Sequence, residues 1–269
     1  MGLVLCLGIV SGGMMASAQD GASKSSDSTA DHTQFKILQQ PFESGEEVTK
    51  ACLRCHTEAT KQVKDSIHWK WEYDHPKTGQ KLGKWNVINA FCGNVASNEP
   101  RCTSCHAGYG WDKMSERPRR ESAVNCLVCH ADKSIYAKLD NQAGRPAVAP
   151  FKEGAKTITG KKAVPIDFAK ATQSVGMPGR ENCGQCHFYS GGDNVKHGDL
   201  SSALVHPDRS VNVHMSKDGG NFSCSTCRRR RAADALWRIR CGLGRPRYPD
   251  DGAGGISGLC ARNRKADCN

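Results

Sequence analysis

Between Pro41 and Cys227 the chain sustains neither a long amphipathic period nor the alternation of a half-buried strand. Three stretches carry a helical signal and predict short helices: Glu46–Glu58, the region Ala123–Tyr136, and Asp167–Val175. Turn chemistry separates them, as in Pro76-Lys77-Thr78-Gly79 and Ser190-Gly191-Gly192-Asp193. The expected fold class is therefore mainly α with much irregular coil. The flanks read differently. Leu3 to Val10 is an apolar run, and Ala16-Ser17-Ala18 is a small-x-small cleavage pattern before Gln19, so residues 1–18 read as a signal peptide. That run is too short for a stable membrane span. Residues 19–42, rich in Ser, Asp, Gly and Ala, read as a flexible linker in which His32 is expected to be solvated.

Composition sharpens the question. Apolar residues make up 38% of the 269 and aromatics 6%, thin for an ordinary core of that size. Something other than side chains should fill the interior. The formal charge of +11 is uneven, because residues 228–269 hold 11 of the 38 basic and 4 of the 27 acidic residues. The basicity is mostly a property of the tail and gives no reason to expect a nucleic-acid partner.

The cysteines supply the missing filler. Cys52-Leu53-Arg54-Cys55-His56, Cys102-Thr103-Ser104-Cys105-His106, Cys126-Leu127-Val128-Cys129-His130 and Cys183-Gly184-Gln185-Cys186-His187 repeat one pattern. A fifth copy, Cys224-Ser225-Thr226-Cys227, breaks because Arg228 stands where the histidine should be. C-x-x-C-H is the attachment signature of c-type haem, and random order with 15 Cys and 10 His would give roughly 0.03 copies. The thiols bind the porphyrin covalently and the histidine binds its iron. The expected cofactor is haem c, at four complete sites and one broken fifth, with short helices wrapped around the haems of a multihaem cytochrome c domain spanning 43–227. Motif starts at 52, 102, 126, 183 and 224 are too uneven for a solenoid, and the 24-residue gap predicts that haems two and three are close neighbours.

Iron ligands follow. His56, His106, His130 and His187 are the proximal set, and a haem that only carries electrons is best held by a second axial side chain. His68, His197 and His214 are the leading distal candidates, with His206 and His75 weaker and Met215 competing with His214. A zinc protein is disfavoured, since zinc sites do not need contiguous C-x-x-C-H units. After Cys227 the character changes: Arg228-Arg229-Arg230-Arg231 opens an Arg/Gly/Ala/Pro-rich run with no histidine. Residues 228–269 read as an out-of-frame, disordered tail. The alternatives are a zinc module of Cys224, Cys227, Cys241 and Cys260, or a basic arm.

Three segments resemble the octahaem tetrathionate reductase family. They are His68-Trp69-Lys70-Trp71 through Phe91-Cys92 to Trp111, Gly179-Arg180-Glu181-Asn182-Cys183 to Phe188, and Val195-Lys196-His197-Gly198-Asp199-Leu200 with Val213-His214-Met215. More distantly the chain resembles the hydroxylamine oxidoreductase and pentahaem nitrite reductase group. The family implies eight haems, and the chain departs from it by offering four and a broken fifth. The resemblance also implies a second haem, here on Cys102, Cys105 and His106, whose distal ligand is a lysine. Pro165-Ile166-Asp167-Phe168-Ala169-Lys170 matches that segment and places it at Lys170, with Asp167 and Cys92 beside the reacting centre and Lys138 as runner-up. The aromatic set Trp69, Trp71, Trp85 and Trp111 reads as packing against porphyrin. The activity implied is periplasmic reduction of tetrathionate to thiosulfate, with nitrite or hydroxylamine as further substrates. The implied partners are a small periplasmic or membrane-bound electron donor and a small anionic substrate, with no nucleic acid. The rival expectation is a purely electron-transferring multihaem cytochrome with no substrate site.

Overall fold

The structure is a computed structural model that describes residues 30–87, 98–188 and 200–227. Short elements joined by irregular chain are what the sequence predicts and what the fold delivers. The longest helices, α1 (Gly45–Cys52) and α8 (Arg180–His187), have eight residues each. Between them come α2 (Ala59–Lys64), α3 (Ile67–Lys70), α4 (Lys84–Val87), α5 (Glu99–Cys102), α6 (Cys126–His130) and α7 (Phe168–Gln173), and α9 (Cys224–Cys227) follows. One antiparallel hairpin joins β1 (Tyr73–Asp74) to β2 (Lys81–Leu82), pairing Tyr73 with Leu82 and Asp74 with Lys81. Its loop is the expected Pro76–Gly79 turn, closed by Gly79 N–H donating to the His75 carbonyl at 2.8 Å. Gly79 takes φ +67°, a conformation open to glycine at little cost. Among the described residues no helix is long and apolar enough to cross a membrane.

Local chemistry explains why the three expected helices are shorter than foreseen. Ser44 caps α1 by accepting from Glu47 N–H at 3.3 Å, with Glu46 and Glu47 in the favourable first turn. The helix ends as the first motif begins, and only a looser turn continues toward Glu58. Asn125 starts α6, accepting from Val128 N–H at 3.0 Å, so this helix is little more than the third motif itself. Asp167 caps α7 through Lys170 N–H at 3.1 Å. Ser190–Asp193 lies outside the described residues.

The core is divided. Val48, Leu127, Val128, Ala131, Tyr136, Phe168 and Ala171 form one cluster, uniting α1, α6 and α7. A second gathers Trp69, Ala123 and Val124, a third Trp71 and Trp111, and a fourth Leu139, Ala147 and Ala163. Several small clusters, rather than one large one, are what a chain with few apolar residues can build around other bulky groups. The expected linker differs in its described part. Residues 32–34 and 36–38 form 3-10 turns, Asp31 caps the first by accepting from Thr33 N–H at 3.0 Å, and Leu38 is buried. Thr172 of α7 donates to the Leu38 carbonyl at 3.1 Å, tying this segment to the body.

Candidate functional site

Each C-x-x-C pair lies on one helical turn. Cys52 closes α1 and Cys55 N–H donates back to its carbonyl at 3.1 Å. Cys102 closes α5, and a 3-10 turn carries Cys105. The third pair lies in α6, the fourth in α8, and Cys224 and Cys227 bound α9. Residues three apart on a helical turn share a face, so both thiols of a motif can reach one side of a flat ligand.

The motifs gather in space in an order the sequence does not give. Segments beside the second and third are directly bonded: Asn125 N–H donates to the Ala107 carbonyl at 2.9 Å and Tyr109 N–H to Ala123 at 2.8 Å. That agrees with the short gap between them. The thiols cross differently. Cys52 of the first motif meets Cys126 of the third, and Cys105 of the second meets Cys186 of the fourth. Burial and these thiol contacts push Cys52 and Cys186 above the ordinary thiol range, the contact being the larger cause.

The histidines are held in three ways. His130 places Nδ1 2.9 Å from the Gly176 carbonyl, the arrangement that orients an imidazole and presents Nε2 to a metal. His106 is wholly buried between Trp69, Trp71 and Trp111, with ring centres 4.5, 5.7 and 4.6 Å away. Its Nε2 lies 3.0 Å from the Trp69 carbonyl while Nδ1 is buried without a partner. Burial, then the nearby Lys138, push its pKa down to about 3, so the ring is neutral, the form that binds metals.

The His56 and His187 rings each lie near a histidine from outside the motifs. The His56 ring centre is 6.3 Å from that of His32, with planes 19° apart, and His187 is 6.1 Å from His68 with planes 84° apart. Taking a metal–imidazole bond of about 2 Å, two imidazoles facing each other across one ion have centres roughly 6 Å apart. Burial, then the charge of His56, lower the His32 pKa. The buried rings of His106 and His130, held toward their neutral form, paired thiols on one turn, an orphaned buried ring nitrogen and aromatic walls together suit haem c. The expectation of a solvated His32 rests on linker-like composition, and the structure instead half-buries its ring near His56. Its signal was local: Asp31-His32-Thr33 is a capped turn rather than featureless coil.

Other candidates fall elsewhere. Lys170 sits on α7 with its side chain 75% exposed, 3.6 Å from the Asp167 carboxylate. α7 packs against α1, beside the first and third motifs. Lys138 is fully buried and its ammonium donates to the Ser104 carbonyl at 3.0 Å and to that of His106. His214 is exposed, its ring 6.2 Å from Phe222. His206 lies 3.6 Å from Glu181 and His75 is bonded within its hairpin to Thr78. Arg117 stacks over Trp85 at 4.5 Å and Trp111 at 5.3 Å. Cys92, His197, residues 1–29 and the tail 228–269 lie outside the described residues, as does the Cys227 side chain.

Repeated haem-attachment turns on short helices, with small split cores between them, define a multihaem c-type cytochrome, and comparison with known proteins agrees. The chain is similar to the crystal structure of octaheme cytochrome c from Shewanella oneidensis, with 40% identity and a TM-score of 0.60. The match covers 75% of this chain and 42% of that one, so the chain spans less than half its length. An uncharacterized protein of Archaeoglobus fulgidus is 21% identical over 245 residues, covering 73% of this chain and 77% of that protein. No family model matches.

Proposed function

We propose that this chain is the electron-carrying part of a periplasmic oxidoreductase. Haem c is held by Cys52 and Cys55, Cys102 and Cys105, Cys126 and Cys129, and Cys183 and Cys186, with His56, His106, His130 and His187 as proximal ligands. The observation that carries the reading is the pairing of motif histidines with outside histidines, His32 with His56 and His68 with His187. A second imidazole on each iron would close it to substrate, which suits electron transfer. When bound, haem would supply one-electron chemistry, and burial favours the neutral, ligating form of His106 and His130. His197 and His214 are the remaining distal candidates.

The finer reading rests on the resemblance to tetrathionate reductases, which implies a lysine-served centre reducing tetrathionate or a similar small anion; α7 sets Lys170 and Asp167 beside the first and third motifs, and Cys92 lies outside the described residues. Lys170 suits such a role as an exposed amine tied to a single carboxylate, on a long stem that leaves it mobile. The alternative is a purely electron-transferring multihaem cytochrome with no substrate site, which predicts no turnover.

The test is expression in a host with haem-attachment machinery. Denatured protein should retain porphyrin absorbance, and the oxidised native protein should be largely low-spin. His32→Ala and His68→Ala should each convert one haem per chain to high-spin, reversed by added imidazole. Colourless protein of bare polypeptide mass would refute haem binding, and unchanged spectra would refute the pairings. Tetrathionate-dependent oxidation of the reduced protein, lost in Lys170→Ala, separates enzyme from carrier.

A further inference from the structure

Lys138 has no place in that scheme, yet among the described residues it is the largest charged side chain buried completely. Its backbone is fixed on both sides. Leu139 N–H donates to the Arg145 carbonyl at 3.0 Å and Ile158 N–H to the Lys138 carbonyl at 3.0 Å, within a ribbon of antiparallel bridges. From this ribbon the side chain runs to the back of the second motif. There its nitrogen donates to the carbonyls of Ser104 and His106, the residues on either side of Cys105. No ion pair with a carboxylate engages it among the described residues.

The geometry of the turn shows what the two bonds do. Cys105 ends a 3-10 turn and His106 leaves it in extended backbone, φ −61° and ψ 145°. Carbonyls at such a change of direction lose their helical partners, and a buried carbonyl needs a donor. One amine bridging residues 104 and 106 satisfies both and fixes the angle between the segments. That angle sets where the Cys105 and His106 side chains point. Gly144 preserves the room, since a Cβ there would stand 3.3 Å from the Lys138 nitrogen.

We propose that Lys138 is a positioning residue for haem attachment at the second motif, tying the Ser104 and His106 carbonyls so that the cysteine and histidine face the porphyrin together. The inference rests on the haem-binding reading above. The role lies in N–H donors rather than in charge, so a glutamine amide, one bond shorter but carrying two N–H donors, should keep at least part of it where a methionine of matched length keeps none.

The experiment compares the full chain with Lys138→Met, Lys138→Gln and the exposed control Lys77→Met, each expressed with haem-attachment machinery. Proteolysis and mass spectrometry give haem occupancy motif by motif. Lys138→Met should lose most of the haem on the Cys102–Cys105 peptide while the other three motifs stay loaded. Lys77→Met should match wild type, and Lys138→Gln should retain more of that haem than Lys138→Met. Full occupancy of the second motif in Lys138→Met overturns the proposal, and so does equal loss at all four motifs. If Lys138→Met yields no soluble protein, Lys138→Gln decides: a loaded second motif supports the donor requirement, and a folded protein lacking that haem overturns it. Wild type without haem at any motif would be the separate failure of the haem-binding reading.

Discussion

Asn125 concentrates several duties in one buried amide, and its removal is a sharp test of how the third motif is held. Its Oδ1 accepts from Val128 N–H at 3.0 Å, capping the helix that carries Cys126, Cys129 and His130. The same oxygen accepts from the Tyr136 hydroxyl at 3.0 Å, and Tyr136 is wholly buried. Loss of a cap costs about 1 kcal/mol, and a buried hydroxyl left without its acceptor costs about 1–3 kcal/mol. The Asn125 Nδ2 is buried without a partner, and removing it offsets about 1 kcal/mol of these costs, so Asn125→Ala should destabilise the protein by about 1–3 kcal/mol. For a domain of this size each kcal/mol moves Tm by about 2–4 °C, so the expected drop is roughly 2–12 °C. The assay is thermal unfolding of the haem-loaded chain followed by far-ultraviolet circular dichroism. Tyr136→Phe separates the two contributions. In the double variant the hydroxyl penalty disappears, so the combined loss should fall short of the sum by about 1–3 kcal/mol. A sum additive within about 0.5 kcal/mol, or a single-variant loss below that, would refute the shared-acceptor account.

Other consequences are smaller or blunter. Trp111→Ala empties a wholly buried site against Trp71 and His106 and should cost about 3–5 kcal/mol, read by the same melt. Gly144 has φ +85°, and a Cβ there would collide with the Gly108 carbonyl, so Gly144→Ala should cost about 2–4 kcal/mol in strain and overpacking. Arg145 holds Asp112 through two bonds of 2.6 and 2.7 Å and keeps its carboxyl below the usual range. Because the folded-state pKa is depressed, this pair stabilises above about pH 4 and its contribution fades as pH falls through the lowered value. Both side chains are about half exposed, so Arg145→Ala should cost under about 1 kcal/mol at neutral pH and less in acid. A loss that grew on acidification would contradict that sign.

Sequence alone determined the chemistry of this protein. Two cysteines and a histidine at fixed spacing are a local requirement, since thiols three residues apart share a turn wherever that turn lies. The caps Asn125 and Asp167 act within three residues of themselves, but the structure is what shows them. Helix lengths were overestimated because weak periodicity cannot reveal where a cap or a motif turn interrupts it. Only the tertiary structure decided which motifs meet, bringing Cys52 to Cys126 and Cys105 to Cys186. It alone set His32 opposite His56 and buried Lys138 behind His106. Those partnerships join residues tens of positions apart, and they follow from how small clusters pack rather than from any spacing a sequence displays.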